Sequence, residues 1–195
     1  MSEYEAHSKR MKQVICTAMV ELLEEKAFLK ITVRDIMDKA DIQRATFYRY
    51  FRDKYEVAET VNRSLAGFLA QRFFLSFYQG QGITEDSQFT FDVRYRKVLY
   101  RMLSLQVENV NLRKNLADSF LSEYQNAFPD ADEYEAYLAA QNFLSIVSWM
   151  AQSNASISEV RKILMSDSQQ RWIARYYNVP PRTFSDFLAD IRNHT

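Results

Sequence analysis

The chain has 195 residues, 47% of them hydrophobic, and its 25 basic and 25 acidic side chains cancel to a formal net charge of +0. That composition supports a packed core and excludes an intrinsically disordered chain, so any excess of charge has to be local. A single cysteine excludes an intramolecular disulfide, the polar start MSEYEAHSKR does not read as a secretory signal, and no apolar run approaches the ~18 residues of a membrane span, so a soluble cytoplasmic protein is expected.

Only 3 Gly and 3 Pro punctuate the chain, and apolar residues recur at helical rather than alternating spacing. The fold is expected to be all-α. From about His7 to Lys26, residues Met11, Val14, Ile15, Ala18, Met19, Leu22 and Leu23 repeat at three and four, which describes a bracing helix with one apolar face. Its early Lys9, Arg10 and Lys12 suit either phosphate contacts or a solvated face. Cys16 falls in the apolar register of this helix and reads as a core thiol rather than a nucleophile.

The segment from Ile31 to Lys54, ITVRDIMDKADIQRATFYRYFRDK, packs two short helical patterns and a tight link into two dozen residues. Thr32 precedes Asp35 in the arrangement that lets a hydroxyl and a carboxylate satisfy orphan amides reciprocally, so a helix should start at Val33. Ile36, Met37 and Ala40 give it one apolar side. Asp41 follows at the expected helix end, where Asp can enter the left-handed conformation that ends helices, less readily than Gly, and Ile42 is expected to anchor the link. In the second run, Gln43 to Phe51, Phe47 and Phe51 lie one turn apart facing inward, with Arg44 and Tyr48 on the neighbouring stripe. Between Gln43 and Lys54 the basic residues Arg44, Arg49, Arg52 and Lys54 face one acid, Asp53. Cations and hydroxyls of this kind neutralise and bond phosphates, while Arg and Gln read base edges in the major groove. Asp53 and Glu56 form another capping box, which starts a third helix near Lys54 with its positive end available to a phosphate.

These residues resemble the DNA-binding domain of the TetR-type (tetracycline-repressor-like) transcriptional regulators. The resemblance rests on Thr32-Val33-Arg34, on Thr46-Phe47-Tyr48-Arg49-Tyr50-Phe51 and on Asp53-Lys54, and it covers about residues 8 to 65. Carried over by position, it implies phosphate contacts from Thr32, Thr46, Tyr48 and Lys54. It likewise implies groove-facing roles for Arg34, Gln43, Arg44, Ala45 and Tyr50. The family usually has Gly where this chain has Asp41, and commonly Ser where it has Gln43, so the recognition helix lacks its best cap.

Beyond Lys54 a long apolar pattern runs through Tyr55, Ala58, Val61, Leu65, Phe68 and Leu69 to Tyr78, and is expected to couple the front segment to the later helices. Gly80-Gln81-Gly82 and the poorly patterned stretch from Ile83 to Phe91 read as a loop. Helices are then expected from Val93 to about Asn109, from Leu112 to Phe128 before Pro129, and from about Asp132 to Ser153. The last of these is apolar all round in its second half, which suits contact with another subunit or a central place within one chain. Ser156 to Glu159 opens a further helix that Pro180-Pro181 ends, and Phe184, Phe187, Leu188 and Ile191 mark a final one.

With only His7 and His194 as imidazoles, at opposite ends of the chain, no catalytic or metal-binding constellation is recognisable, and no cofactor is implied. Met102, Phe120, Tyr124, Phe143 and Trp149 suit either a filled core or the lining of an effector cavity. Arg94, Arg96 and Arg101 suit an anionic effector or a solvated face. The resulting expectation is an all-α chain in two parts. A helix-turn-helix DNA-binding domain spans 1–53, with the start of a helix from 54, and an effector-binding and dimerisation domain spans 54–195. Its expected partners are double-stranded DNA carrying a palindromic operator, a second copy of the chain and a small-molecule effector, with no membrane. The alternative is an all-α protein-interaction module whose helix-turn-helix is structural only.

Overall fold

The structure, a computed structural model, describes residues 3–77, 93–105, 107 and 110–153. The expected loop after Tyr78 and the helices expected beyond Ser153 lie outside the described residues.

Among the described residues the chain forms α1 (Glu3–Glu25), a short 3-10 turn (Phe28–Lys30), α2 (Val33–Ala40), α3 (Arg44–Tyr50), α4 (Lys54–Phe77), α5 (Val93–Leu103), α6 (Leu112–Ala127) and α7 (Glu133–Gln152). The fold is all-α, and an isolated bridge between Val107 and Val110 is its one extended pairing among these residues. Helix α1 buries Ile15, Ala18, Met19, Leu22 and Leu23, the apolar face expected from their spacing. It packs against α2, α3, α4 and α5.

Helix α2 starts where its sequence dictates. The Asp35 N–H donates to Thr32 Oγ1 at 3.1 Å, and Asp35 Oδ2 accepts from the Thr32 N–H at 2.7 Å and from the Thr32 hydroxyl at 2.8 Å. It ends at Asp41, whose φ of 52° and ψ of 50° place it in the left-handed region, and the Ile42 N–H reaches back to the Met37 carbonyl at 3.1 Å. The ends of α1 and α2 are also tied by ion pairs. Lys26 meets Asp35 at 2.9 Å, and Lys39 meets Glu25 at 2.9 Å and Glu21 at 3.6 Å.

Helix α4 has 24 residues and is ~36 Å long at 1.5 Å per residue. Its start differs from the expected box in one respect. Asp53 Oδ1 accepts from the N–H groups of Tyr55 and Glu56, both at 2.9 Å, but the Glu56 carboxylate reaches past Asp53 to the N–H of Arg52 at 2.7 Å. The helix then buries Val57, Ala58, Val61, Ala66, Leu69 and Ala70 and lies against both α1 and α6.

Helix α5 ends at Leu103, earlier than the expected Asn109, and the reason is local. The Ser104 hydroxyl bonds back to the Tyr100 carbonyl at 2.8 Å, and the β-branched Val107 and Val110 form an isolated bridge, with the Val110 N–H on the Val107 carbonyl at 2.9 Å. Asn111 caps α6 by accepting from the Lys114 N–H at 3.0 Å, and Asp132 caps α7 by accepting from the Glu135 N–H at 2.7 Å. Phe73 from α4, Phe120 from α6 and Phe143 from α7 meet in the middle. Phe120 and Phe143 stack at 4.8 Å between ring centres, and Phe73 lies 4.9 Å from Phe143. All buried apolar side chains from Ile15 to Ala151 join one cluster.

Side-chain hydrogen bonds also join the early and late helices. Asn62 of α4 is fully buried beside the N–H groups of Asn111 and Leu112, two donors that assign its amide oxygen to the side facing α6, at 3.1 Å and 3.2 Å from them. Arg101 of α5 donates to the Leu23 carbonyl in the last turn of α1. Each satisfies backbone groups that a helix end leaves without an intrahelical partner.

Candidate nucleic-acid interface

The short helix α3 has two unlike sides. Phe47 is fully buried and Phe51 nearly so, their rings 6.3 Å apart, and this pair fixes the helix on the core. The opposite side carries Gln43, Arg44, Ala45, Tyr48 and Arg49, all exposed. The Arg44 guanidinium lies 5.2 Å from the centre of the Tyr48 ring, and that ring meets Phe47 edge-on at 5.3 Å. The ring therefore links the buried side of α3 to the cation on its outer side and restricts where the long Arg44 side chain can point.

The other expected contacts sit around this face in different ways. Arg34 is exposed on α2 and pairs loosely with Asp38 at 3.7 Å, an interaction worth little against solvent. Thr46 is half-buried, and Tyr50 is half-buried and packs against the core rather than standing fully outward. Thr32 is exposed, but its N–H and hydroxyl both donate to Asp35. Lys54 is half-buried, with its ammonium on main-chain carbonyls: Ile31 at 2.7 Å, Phe28 at 3.3 Å and Leu29 at 3.4 Å. At the start of α4 two N–H groups are taken by Asp53.

Arg49 and Arg52 contribute to the local charge of the segment, though its pattern gives them no individual role. Both are exposed, Arg49 on α3 and Arg52 between α3 and α4, where its Nε lies 3.5 Å from Asp53. The signal for them is the excess of base over acid itself. Cys16 is half-buried, and burial pushes its thiol up to about 11 against the opposing charge of Lys12, so it stays protonated and unreactive at neutral pH.

In the later helices the five cavity candidates divide. Met102, Phe120 and Phe143 are fully buried and Tyr124 nearly so. Phe120 meets both Phe143 and Tyr124, and the Tyr124 hydroxyl donates to Glu135 at 2.9 Å. Trp149 is 38% exposed on α7 and is not enclosed with them. Of the arginines considered for an anionic ligand, Arg96 donates to the Ser153 carbonyl at 3.4 Å and Arg101 to that of Leu23, so backbone already engages both. The Arg94 side chain lies outside the described residues. Among the described residues no group of His, Cys, Asp or Glu could hold a metal, and no helix is long and apolar enough to cross a membrane.

A capped short helix, a left-handed turn and a second short helix seated by two phenylalanines, with cations outward, define a helix-turn-helix. Residues 15–61 match the family described as bacterial regulatory proteins, tetR family. Over 46 residues the chain is 39% identical to the HTH-type dhaKLM operon transcriptional activator DhaS of Lactococcus lactis subsp. lactis (strain IL1403), a stretch covering 24% of this chain and 25% of that protein. The amino-terminal segment that builds this helix-turn-helix is thus similar to the DNA-binding domain of that family, over about a quarter of the chain.

Proposed function

We propose that the chain is a sequence-specific DNA-binding transcription regulator that inserts α3 into the major groove. The observation that carries the reading is the two-sidedness of α3: Phe47 and Phe51 hold it on the core, while Arg44, Tyr48 and Arg49 stand outward beside Arg52. On this reading Arg44, Thr46, Tyr48, Arg49 and Arg52 meet phosphates or base edges. Gln43 and Ala45 approach bases at the helix start, Tyr50 flanks them, and Arg34 reaches the same groove from α2. The Thr32–Asp35 pair holds the start of α2 at the rim.

The domain boundary proposed is residue 53, with α4 shared between the reading head and a later part that binds an effector and a second copy of the chain. The regulator is then a homodimer on a palindromic operator, and a repressor that a small molecule releases by preferring the arrangement whose two α3 helices do not fit successive grooves. The relative from Lactococcus is named an activator, so the sign of regulation is tested directly, by whether transcripts from the bound promoter rise or fall when the gene is deleted. The DNA reading is tested by selecting duplexes from a random pool with the wild-type protein and with Arg44→Ala. Enrichment by the wild type that Arg44→Ala loses supports it; equal enrichment by both removes α3 from the interface.

A further inference from the structure

The start of α4 carries a cation that sequence position alone would aim at DNA, yet its surroundings describe another role. The Lys54 ammonium lies 2.7 Å from the carbonyl oxygen of Ile31, 3.3 Å from that of Phe28 and 3.4 Å from that of Leu29. It also stands 4.7 Å from the centre of the Phe28 ring and 5.4 Å from that of Tyr55, two rings that meet edge-on at 5.4 Å. An ammonium has three donors and no acceptor, and three carbonyls with two ring faces account for all of it. These carbonyls belong to the 3-10 turn between α1 and α2 and to Ile31, the residue that ends it; the Phe28 oxygen also accepts from the Ile31 N–H at 3.0 Å, and the carbonyl end of a helical turn favours a cation.

From this geometry we infer that Lys54 is a positioning residue for DNA binding, a bolt between the start of α4 and the start of α2, and not itself a phosphate contact. Ile31, its nearest partner, immediately precedes Thr32, the cap of α2. The same corner holds Asp35, tied to Thr32 and to Lys26 at the end of α1. The bolt thus fixes α2 relative to α4, and α3 is suspended between those two helices with only seven residues of its own. Burial pushes the Lys54 ammonium below the usual lysine range, with the charge of Asp35 opposing it, as befits a group turned inward. The inference rests on the DNA reading of α3 and assigns a different task to a residue of the same domain.

The test compares the wild type, Lys54→Met and Lys54→Arg on the duplex that the wild type selects from a random pool, across a salt series and well below the melting temperature of each variant. A phosphate contact would survive in Lys54→Arg, which keeps the charge, and its removal in Lys54→Met would make the slope of log affinity against log salt shallower by about 0.9. A bolt predicts that both variants weaken binding about tenfold, because the guanidinium fork cannot reproduce a point cation on three carbonyls, while the salt slope stays at the wild-type value. A shallower slope in Lys54→Met, or wild-type affinity in either folded variant, overturns the assignment. If Lys54→Met does not fold, Lys54→Arg carries the test alone. A wild type that selects no duplex at all, with the variants folded, removes the DNA reading and this role with it.

Discussion

The Arg44 guanidinium lies over the Tyr48 ring, 5.2 Å from its centre and one turn away along α3. The contact joins two side chains on the outer side of a helix whose inner side, Phe47, is fully buried. It limits the rotamers of a long cation before any duplex arrives, so less freedom is lost on binding.

Removing the ring should therefore weaken DNA binding by more than removing the hydroxyl. Tyr48→Phe keeps the stacking surface and loses one hydroxyl bond, for which a loss of about 1 kcal/mol is expected. Tyr48→Ala should cost about 1 kcal/mol more, through the lost cation–ring contact, and Arg44→Ala about 1–3 kcal/mol on the selected duplex. Titration of labelled duplex checks all three. Equal affinities for Tyr48→Phe and Tyr48→Ala would show that the ring does not orient Arg44.

Asn62 is the buried amide that caps α6 from α4. Asn62→Ala leaves the N–H groups of Asn111 and Leu112 without that oxygen, in a place closed to solvent, and should lower stability by about 2–3 kcal/mol. The denaturant midpoint measures it, and a change below about 0.5 kcal/mol, the usual range for a neutral surface substitution, would show that the cap is unimportant.

The link between α2 and α3 offers two stabilising changes. Asp41 has a φ of 52°, a conformation that glycine adopts without strain, so Asp41→Gly should raise stability by up to about 1 kcal/mol and Asp41→Val should lower it by more than that. Gln43 makes no side-chain bond to the amides of α3, and Gln43→Ser should add about 0.5–1 kcal/mol by supplying one. Thermal melts of the single variants test both. A Gly variant less stable than the parent would mean that the Asp41 side chain itself holds the turn.

The Asp35 carboxyl is lowered from the usual 3.8 to about 2 by the Lys26 ammonium and then by the Thr32 N–H and hydroxyl. Because the folded value lies below the unfolded one, its contribution is fully present above about pH 4 and is lost as pH falls toward 2. Asp35→Asn should therefore lower stability at pH 7 and narrow the gap from the parent as the solution is acidified through that window. Denaturant melts at stepped pH check it; a constant gap from pH 7 to 2 would mean that the carboxylate charge is not what matters.

What could be read from the chain alone depended on how near the partners lie in sequence. Thr32 and Asp35 are three residues apart, Phe47 and Phe51 four, and Asp41 acts on its own backbone, so cap, inward face and turn were all legible. Lys54 was not, because its partners are main-chain oxygens of residues 28 to 31, which carry no side-chain signature of their role. Asn62 was equally silent: its partners are the amides that begin α6, brought to it only by helix packing. The early end of α5 turned on Ser104 and the pair Val107 and Val110, where an apolar helical pattern and an extended backbone preference compete. Trp149 shares the apolar pattern of α7, yet it faces outward on the finished helix, since periodicity gives a stripe and not its depth.

The claim on which the rest depends is that α3 occupies a major groove with Arg44 leading. Methylation protection of guanine N7 on the selected duplex reads that groove directly. The account predicts protected guanines in two half-sites separated by one or more helical turns of ~34 Å, with the protection lost in Arg44→Ala at protein concentrations that still saturate the duplex. Bound duplex whose guanines methylate as freely as in naked DNA, or protection identical in Arg44→Ala, would contradict it.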